Sequence, residues 1–221
     1  MKLTSLGVFA LLTVLTAPVF ANVTLPPAST TSGYVCRLLI NEVPFPGEKN
    51  YLSEADTKAG MEQILHVLDG RLQHIPPRYR QQDIAAVVAD DMFDVITAGG
   101  VRGQVDGFYR DELGRPTMVP RVGKRVDTLM RIAGDGPPGK FARLLNHAAK
   151  LSTDYVNGVL SVPDRFEKVY YVQGIPATGS AYSWMTDELR FKPGGNYLRI
   201  PDELDGGLGG NRFFTLRKEP K

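Results

Sequence analysis

Apolar residues recur every three or four positions through most of this chain and give way to short alternating runs near its end. Tyr34-Val-Cys-Arg-Leu-Leu-Ile40 reads as a first helix running towards Glu42. Pro44 disfavours the helical region for Val43, so that helix should stop at about Glu42. A second helix starts at Ser53, where Ser53 and Asp56 make a capping-box-like entry. Met61, Ile64, Leu65, Leu68 and Leu72 form its single apolar stripe, and Pro76-Pro77 end it. Gln81 to Thr97 reads as helix, in one piece or two, with Ile84, Val87, Val88, Val95 and Ile96 inward and Gly99-Gly100 as the stop. Pro120 to Ala133 and Gly139 to Asn157 carry apolar residues at helical spacing and predict a helical hairpin around Gly134-Asp-Gly-Pro-Pro-Gly139. After Asp164 come β-type runs at Val169 to Val172, Tyr197 to Ile200 and Arg212 to Leu216. The expected fold class is therefore mainly α (α+β), a helical domain with a small β- or loop-rich C-terminal part. The irregular segments 99–120 and 176–210 are where such a scaffold places binding residues.

The first residues follow the pattern of a secretory signal. Lys2 gives a charged start, Leu6 to Leu15 is an apolar run too short to span a bilayer, Pro18 breaks it, and Val19-Phe20-Ala21 offers a small-residue cleavage site. The expected organisation is a signal peptide at 1–21, a Ser/Thr/Pro-rich leader at 22–33 and one domain at 34–221. That implies an exported protein with no stable membrane insertion after cleavage. Loss of Lys2 lowers the formal net charge from +2 to +1, which leaves no electrostatic footprint for nucleic acid or an anionic membrane surface. Cys36 is the only cysteine, so no internal disulfide forms and stability must come from packing.

Glu42 is the leading candidate for chemistry. It stands at the negative end of a helix dipole, beside Pro and Phe. Both the dipole and partial burial favour the protonated form, and a carboxyl group still protonated near neutral pH can act as a general acid. A rival nucleophile is Cys36 paired with one of the histidines: His66, which reads as solvated, His74, or His147 near the inward face of its helix. Metal-ligand spacing is missing from the sequence, and Gly206-Gly-Leu-Gly-Gly210 lacks the Lys-Ser/Thr ending of a phosphate-binding loop. No cofactor is called for, and the glycines read as a turn that lets backbone pack closely. The clusters Gly103-Gln-Val-Asp-Gly-Phe-Tyr109 and Thr178-Gly-Ser-Ala-Tyr-Ser-Trp184 combine aromatic faces with hydrogen-bonding groups, which suits a pyranose ring.

The order of these segments resembles the bacterial cell-wall hydrolases of the SleB type. Leu39-Ile-Asn-Glu42-Val is similar to the helix end that carries the family's catalytic glutamate. Gly47-Glu48 and Gly60-Met-Glu-Gln-Ile-Leu-His-Val-Leu-Asp-Gly-Arg71 follow in the family's order. Asp94-Val-Ile96 with Gly103-Gln104 and Phe108, then Thr178 to Trp184, then Gly210-Asn-Arg-Phe-Phe214 complete the series. The chain departs from the pattern at Val43-Pro44, where the family has Ala-Arg, and at Arg212, where it often has His.

The resemblance implies a lysozyme-like, lytic-transglycosylase-like fold acting on peptidoglycan glycan strands, with Glu42 as acid and base at the β-1,4 bond between N-acetylmuramic acid and N-acetylglucosamine. Gln104, Phe108, Thr178, Ser180 and Tyr182 become the expected sugar contacts. Attack by the sugar's own 6-hydroxyl would give an anhydro-sugar and attack by water a hydrolysed end, with Glu48, Glu54 and Asp106 as candidate second carboxylates. A thiol amidase built on Cys36 and a catalytically inert wall-binding protein remain the alternatives.

Overall fold

Thr30 opens the first helix, α1 (Thr31–Glu42), by accepting the Gly33 N–H on its hydroxyl at 3.1 Å in a computed structural model that describes residues 23–135, 139–159, 164–186 and 195–221. A Cβ on Gly33 would sit 1.9 Å from the Pro27 carbonyl oxygen, because the preceding chain folds back over this turn. The helix thus begins inside the segment expected as leader, and Val23 and Leu25 of that segment pack against the core. Tyr34, Val35, Cys36, Leu38, Leu39 and Ile40 are fully buried, which makes α1 the central rod of the molecule. It ends at Glu42, where Val43 turns extended (φ −123°, ψ 151°) ahead of Pro44 as the sequence predicts.

Around that rod lie α2 (Glu54–Gln73), capped by Ser53 on the Asp56 N–H, and the pair α5 (Pro120–Gly134) and α6 (Lys140–Val156). The segment 81–97 is two short helices, α3 (Gln81–Ala85) and α4 (Met92–Thr97). Ala86 takes a left-handed conformation between them, and Asp91 caps the second on the Phe93 N–H. Val88, expected inward, lies in this break and is 74 % exposed. Gln81 supplies the missing backbone partners there, donating to the Arg71 and Ala89 carbonyls and accepting the Ala89 N–H.

Two segments expected to be irregular contain sheet. Residues 99–120 hold a hairpin of β1 (Phe108–Arg110) and β2 (Pro116–Met118), tied to α1 by the Tyr34 hydroxyl donating to the Thr117 carbonyl at 2.7 Å. The C-terminal region is a five-stranded antiparallel sheet. Its strands are β3 (Val169–Val172), β4 (Ile175–Thr186), β5 (Tyr197–Arg199), β6 (Gly207–Leu208) and β7 (Asn211–Arg217). Their order is β3-β4-β7-β5, with β6 also on β7. The described residues are about 44 % helix and 18 % strand, a mixed α+β fold. This corrects the expectation of a mainly helical, lysozyme-like domain with a small C-terminal β part. The physical reason is β4, whose Pro176, Gly179 and small residues read as turn while its pairing with β3 and β7 makes it a twelve-residue strand. Its register shifts between Ala177 and Ala181, and Gly179 takes φ 97° in that interval.

The sheet meets the helices where α2 touches the β6–β7 turn. A Cβ on Gly60 would stand 2.7 Å from the Gly209 Cα, so both backbones depend on glycine. Gly209 also has φ 54°, which makes the 206–210 run the close-packing turn that its composition suggests. Gly123 in α5, by contrast, has open space where a Cβ would go. Gly60→Ala should lower stability by about 1–3 kcal/mol through overpacking. Gly123→Ala should raise it by about 0.5–1 kcal/mol through helix propensity. Urea unfolding midpoints of the two variants test the pair, and a Gly60→Ala midpoint at or above that of wild type would refute the close contact.

Candidate functional site

Glu42 is the last residue of α1, and its half-buried side chain opens into a cleft of about 800 Å³. The far walls come from remote segments. Arg102, Gly103, Gln104 and Asp106 belong to the loop before β1, Arg121 and Arg125 to α5, and Trp184 to Thr186 to the end of β4. Trp184, the single tryptophan of the chain, donates its indole N–H to the Glu42 carboxyl Oε2 at 2.9 Å.

The end of α1 is held as tightly as the side chain. A helix leaves its last carbonyls unpaired, and here two side chains from elsewhere satisfy them. Asn211 of β7 donates its amide to the Glu42 carbonyl at 2.6 Å and to the Gly209 carbonyl at 3.0 Å. Arg125 donates to the Ile40 carbonyl, to the Val43 carbonyl at 3.0 Å, and to both carboxylate oxygens of Glu48 at 3.1 and 2.5 Å. Glu48 in turn accepts the Phe45 N–H at 2.7 Å, and the Arg125 guanidinium lies 5.5 Å from the centre of the Phe45 ring. The 43–48 loop is thereby closed back onto the helix it leaves.

Removal from water pushes the Glu42 carboxyl above the ordinary glutamate range. The Trp184 N–H opposes this by favouring the carboxylate, the negative charge of Asp106 adds to the upward push, and Arg125 and Arg121 oppose it. The site is an acid whose proton affinity is raised by burial and trimmed by a donor and two cations. Asp106 is exposed and ion-paired with Arg121 at 2.6 Å. Of the other two candidate second carboxylates, Glu48 is committed to Arg125, and Glu54 is held low, to about 2, by Arg143 and Lys58.

The remaining expected sugar contacts separate into those at the cleft and those away from it. Gln104 lines the cleft beside Glu42. Phe108 is fully buried in an edge-on contact with Tyr34, ring centres 5.2 Å apart, and belongs to the core. Tyr182 is buried against Ile84 and Leu216, with its hydroxyl donating to the His74 carbonyl at 2.9 Å. Ser180 bonds Asp164 and Tyr182, and Thr178 stands 3.3 Å from the Thr215 hydroxyl in a different groove lined by Pro76, Tyr170 and Tyr171. Trp184, Arg125 and Asn211 are the residues that sequence reasoning missed. Trp184 carried a signal, as the only indole of the chain inside an aromatic cluster; Asn211 lay in the Gly210–Phe214 motif without a role assigned to it, and Arg125, which acts across 77 or more residues, left none.

The alternative nucleophile fares differently. Burial pushes the Cys36 thiol up to about 11, with Ser152 bonded to it, so little thiolate exists at neutral pH. Each histidine lies near a carboxylate instead: His66 at 3.2 Å from Asp164, His74 at 3.3 Å from Asp69 and His147 at 3.5 Å from Glu62. His66, expected to be solvated, is largely buried by its partner. Among the described residues no group of three or more His, Cys, Asp or Glu is arranged to hold a metal ion, and no helix is long and apolar enough to cross a membrane. The chain matches no protein-family model, no curated protein and no solved structure.

The raised affinity of Glu42 has a signed consequence for stability. Burial favours the neutral acid, so the carboxyl contributes stability that is fully present below the unfolded value of about 4.3 and is lost as pH rises through the higher folded value. Glu42→Gln keeps an acceptor for the indole and removes the titration. The stability of wild type relative to this variant should therefore fall as pH rises above the unfolded value of about 4.3 in parallel urea titrations. A difference that stays constant as pH rises would mean the carboxyl titrates as if exposed.

Proposed function

We propose that the protein is an exported glycosidase of the SleB type that cleaves the β-1,4 bond between N-acetylmuramic acid and N-acetylglucosamine in peptidoglycan, with Glu42 as general acid and then general base. The observation that carries this reading is the indole N–H of Trp184 placed on the Glu42 carboxyl inside a cleft also lined by Gln104. Glu42, Gln104, Trp184 and Asn211 come from four different segments of the motif series, and all four lie at or beside the end of α1.

In the first step the protonated carboxyl of Glu42 gives its proton to the glycosidic oxygen as the bond to the muramyl C1 breaks. The resulting carboxylate is stabilised by the Trp184 N–H and by Arg125 and Arg121. In the second step it takes a proton from the hydroxyl that closes on C1. The muramyl 6-hydroxyl in that role yields the 1,6-anhydro sugar, whereas water yields a reducing end. Retaining and inverting hydrolysis both need a second carboxylate at the sugar. Asp106 is the one candidate at the cleft, and its carboxylate is engaged by Arg121, which favours the single-carboxylate, anhydro-forming route.

Purified sacculi incubated with wild type and Glu42→Gln, with the released muropeptides identified by mass spectrometry, test the proposal. Release should fall by about 10²-fold or more in the variant, and wild-type products should carry anhydro ends. The alkaline limb of the rate profile should lie above the ordinary glutamate range, since the acid must hold its proton to act. Undiminished release by Glu42→Gln would overturn the assignment, as would sacculus binding without any release by the wild type.

A further inference from the structure

Arg71, in the last turn of α2, is 3 % exposed. Its Nε donates to the Tyr182 carbonyl at 2.8 Å, yet among the described residues its buried Nη1 meets no hydrogen-bond partner and its charge meets no carboxylate within ion-pair distance. Guanidinium does not shed its proton in a protein, so among the described residues the fold keeps a buried cation with no acidic partner, where an apolar residue of the same length would be the stabler choice. What the cation does touch is the indole: its central carbon lies 5.2 Å from the ring centre of Trp184. That ring carries the N–H on Glu42.

We infer that Arg71 is a positioning residue that acts on Glu42 through Trp184, fixing the plane of the indole and strengthening its N–H as a donor. A cation over the face of an indole is attracted to the ring's π density and draws that density towards itself, which leaves the N–H at the edge more positive. The edge faces Glu42, so the charge of Arg71 reaches the carboxyl as a better hydrogen bond and favours the carboxylate produced by proton donation. The groups that bear directly on Glu42 are Asp106 from the loop before β1 and Arg121 and Arg125 from α5, with Arg102 on the same cleft wall. Arg71 enters from the opposite side, behind the ring, with Tyr197 as its titratable neighbour. The catalytic value of this contact rests on the glycosidase reading, while the coupling itself is a property of the substrate-free protein.

One tryptophan means one indole cross-peak in a proton–nitrogen spectrum of the labelled full chain. In wild type that peak should move with pH as Glu42 titrates, and in Glu42→Gln the movement should vanish. Arg71→Met, of similar length and without charge, should keep the fold and a melting temperature at or above that of wild type. It should shift the indole proton upfield, raise the titration midpoint by about 0.5 pH, a threefold gain in proton affinity, and cut sacculus cleavage by about tenfold where the wild type cleaves. Arg71→Lys, which keeps the charge, should recover most of the midpoint. An indole peak and midpoint unchanged in folded Arg71→Met would overturn the inference whatever the cleavage assay shows. So would failure of both Arg71→Met and Arg71→Gln to fold, since Arg71 would then be a requirement of the scaffold. Coupling seen without cleavage by wild type would leave the inference standing and remove the glycosidase reading instead.

Discussion

The carbonyl end of α1 is the constraint on which the rest of the structure depends. A helix that is buried along its length cannot leave its last carbonyls to water, and α1 carries no basic residue of its own in the last turn. Arg125 from α5 and Asn211 from β7 supply the donors, so the helical pair and the sheet are both anchored on the residue where α1 stops. The two bonds act over 82 to 169 positions of sequence, which ties the ends of the chain to its centre. Any displacement of α5 or β7 therefore moves Glu42, because the same residue that needs a cap also bears the carboxyl.

That arrangement explains why the site is built from both kinds of secondary structure. α1 delivers the carboxyl from a buried rod, and β4 delivers the indole from a strand paired with β7 at that point. Neither group sits on a mobile tip, and rigid elements hold a hydrogen-bonded pair to closer tolerance than loops do. The loop before β1 supplies Gln104, Asp106 and Arg102, where adaptable contacts to a ligand belong. The close contact of Gly60 with Gly209 sets how near α2 comes to the sheet, and α2 in turn carries Arg71 beneath Trp184.

Much of the helical part was legible from residue spacing alone. The stop at Glu42 followed from Pro44, the start at Ser53 from its hydroxyl, and the bounds of α5 and α6 from apolar periodicity, since each rests on contacts within a few residues. The sheet was not legible in the same way. Ile175-Pro-Ala-Thr-Gly-Ser has the composition of a turn, and its strand character comes from β3 on one edge and β7 on the other. The fold class was misjudged for that reason. At the site, Glu42 and Gln104 were within reach of local argument. Phe108 and Tyr182 have the same aromatic character as a sugar platform, and only the packing against Tyr34, Ile84 and Leu216 assigns them to the interior. The roles of Arg125 and Asn211 depend on where a distant helix ends, which no spacing rule contains.

On the glycosidase reading, the opposition between burial and hydrogen bonding at Glu42 is what would suit it to moving a proton in both directions. Burial favours the protonated carboxyl, while the Trp184 N–H, Arg125 and Arg121 favour the carboxylate. The Trp184 N–H weakens the acid's hold on its proton without adding a charge to the cleft, and a neutral donor does not compete with Asp106 or with an incoming anionic group for a guanidinium. A cation placed behind the ring at Arg71 extends the same economy, because its charge reaches the carboxyl while its bulk stays out of the space a substrate must occupy. The energetic burden of that buried guanidinium falls on the scaffold, and the packing of Tyr34, Phe45, Met61 and their neighbours around α1 is what the scaffold has to set against it.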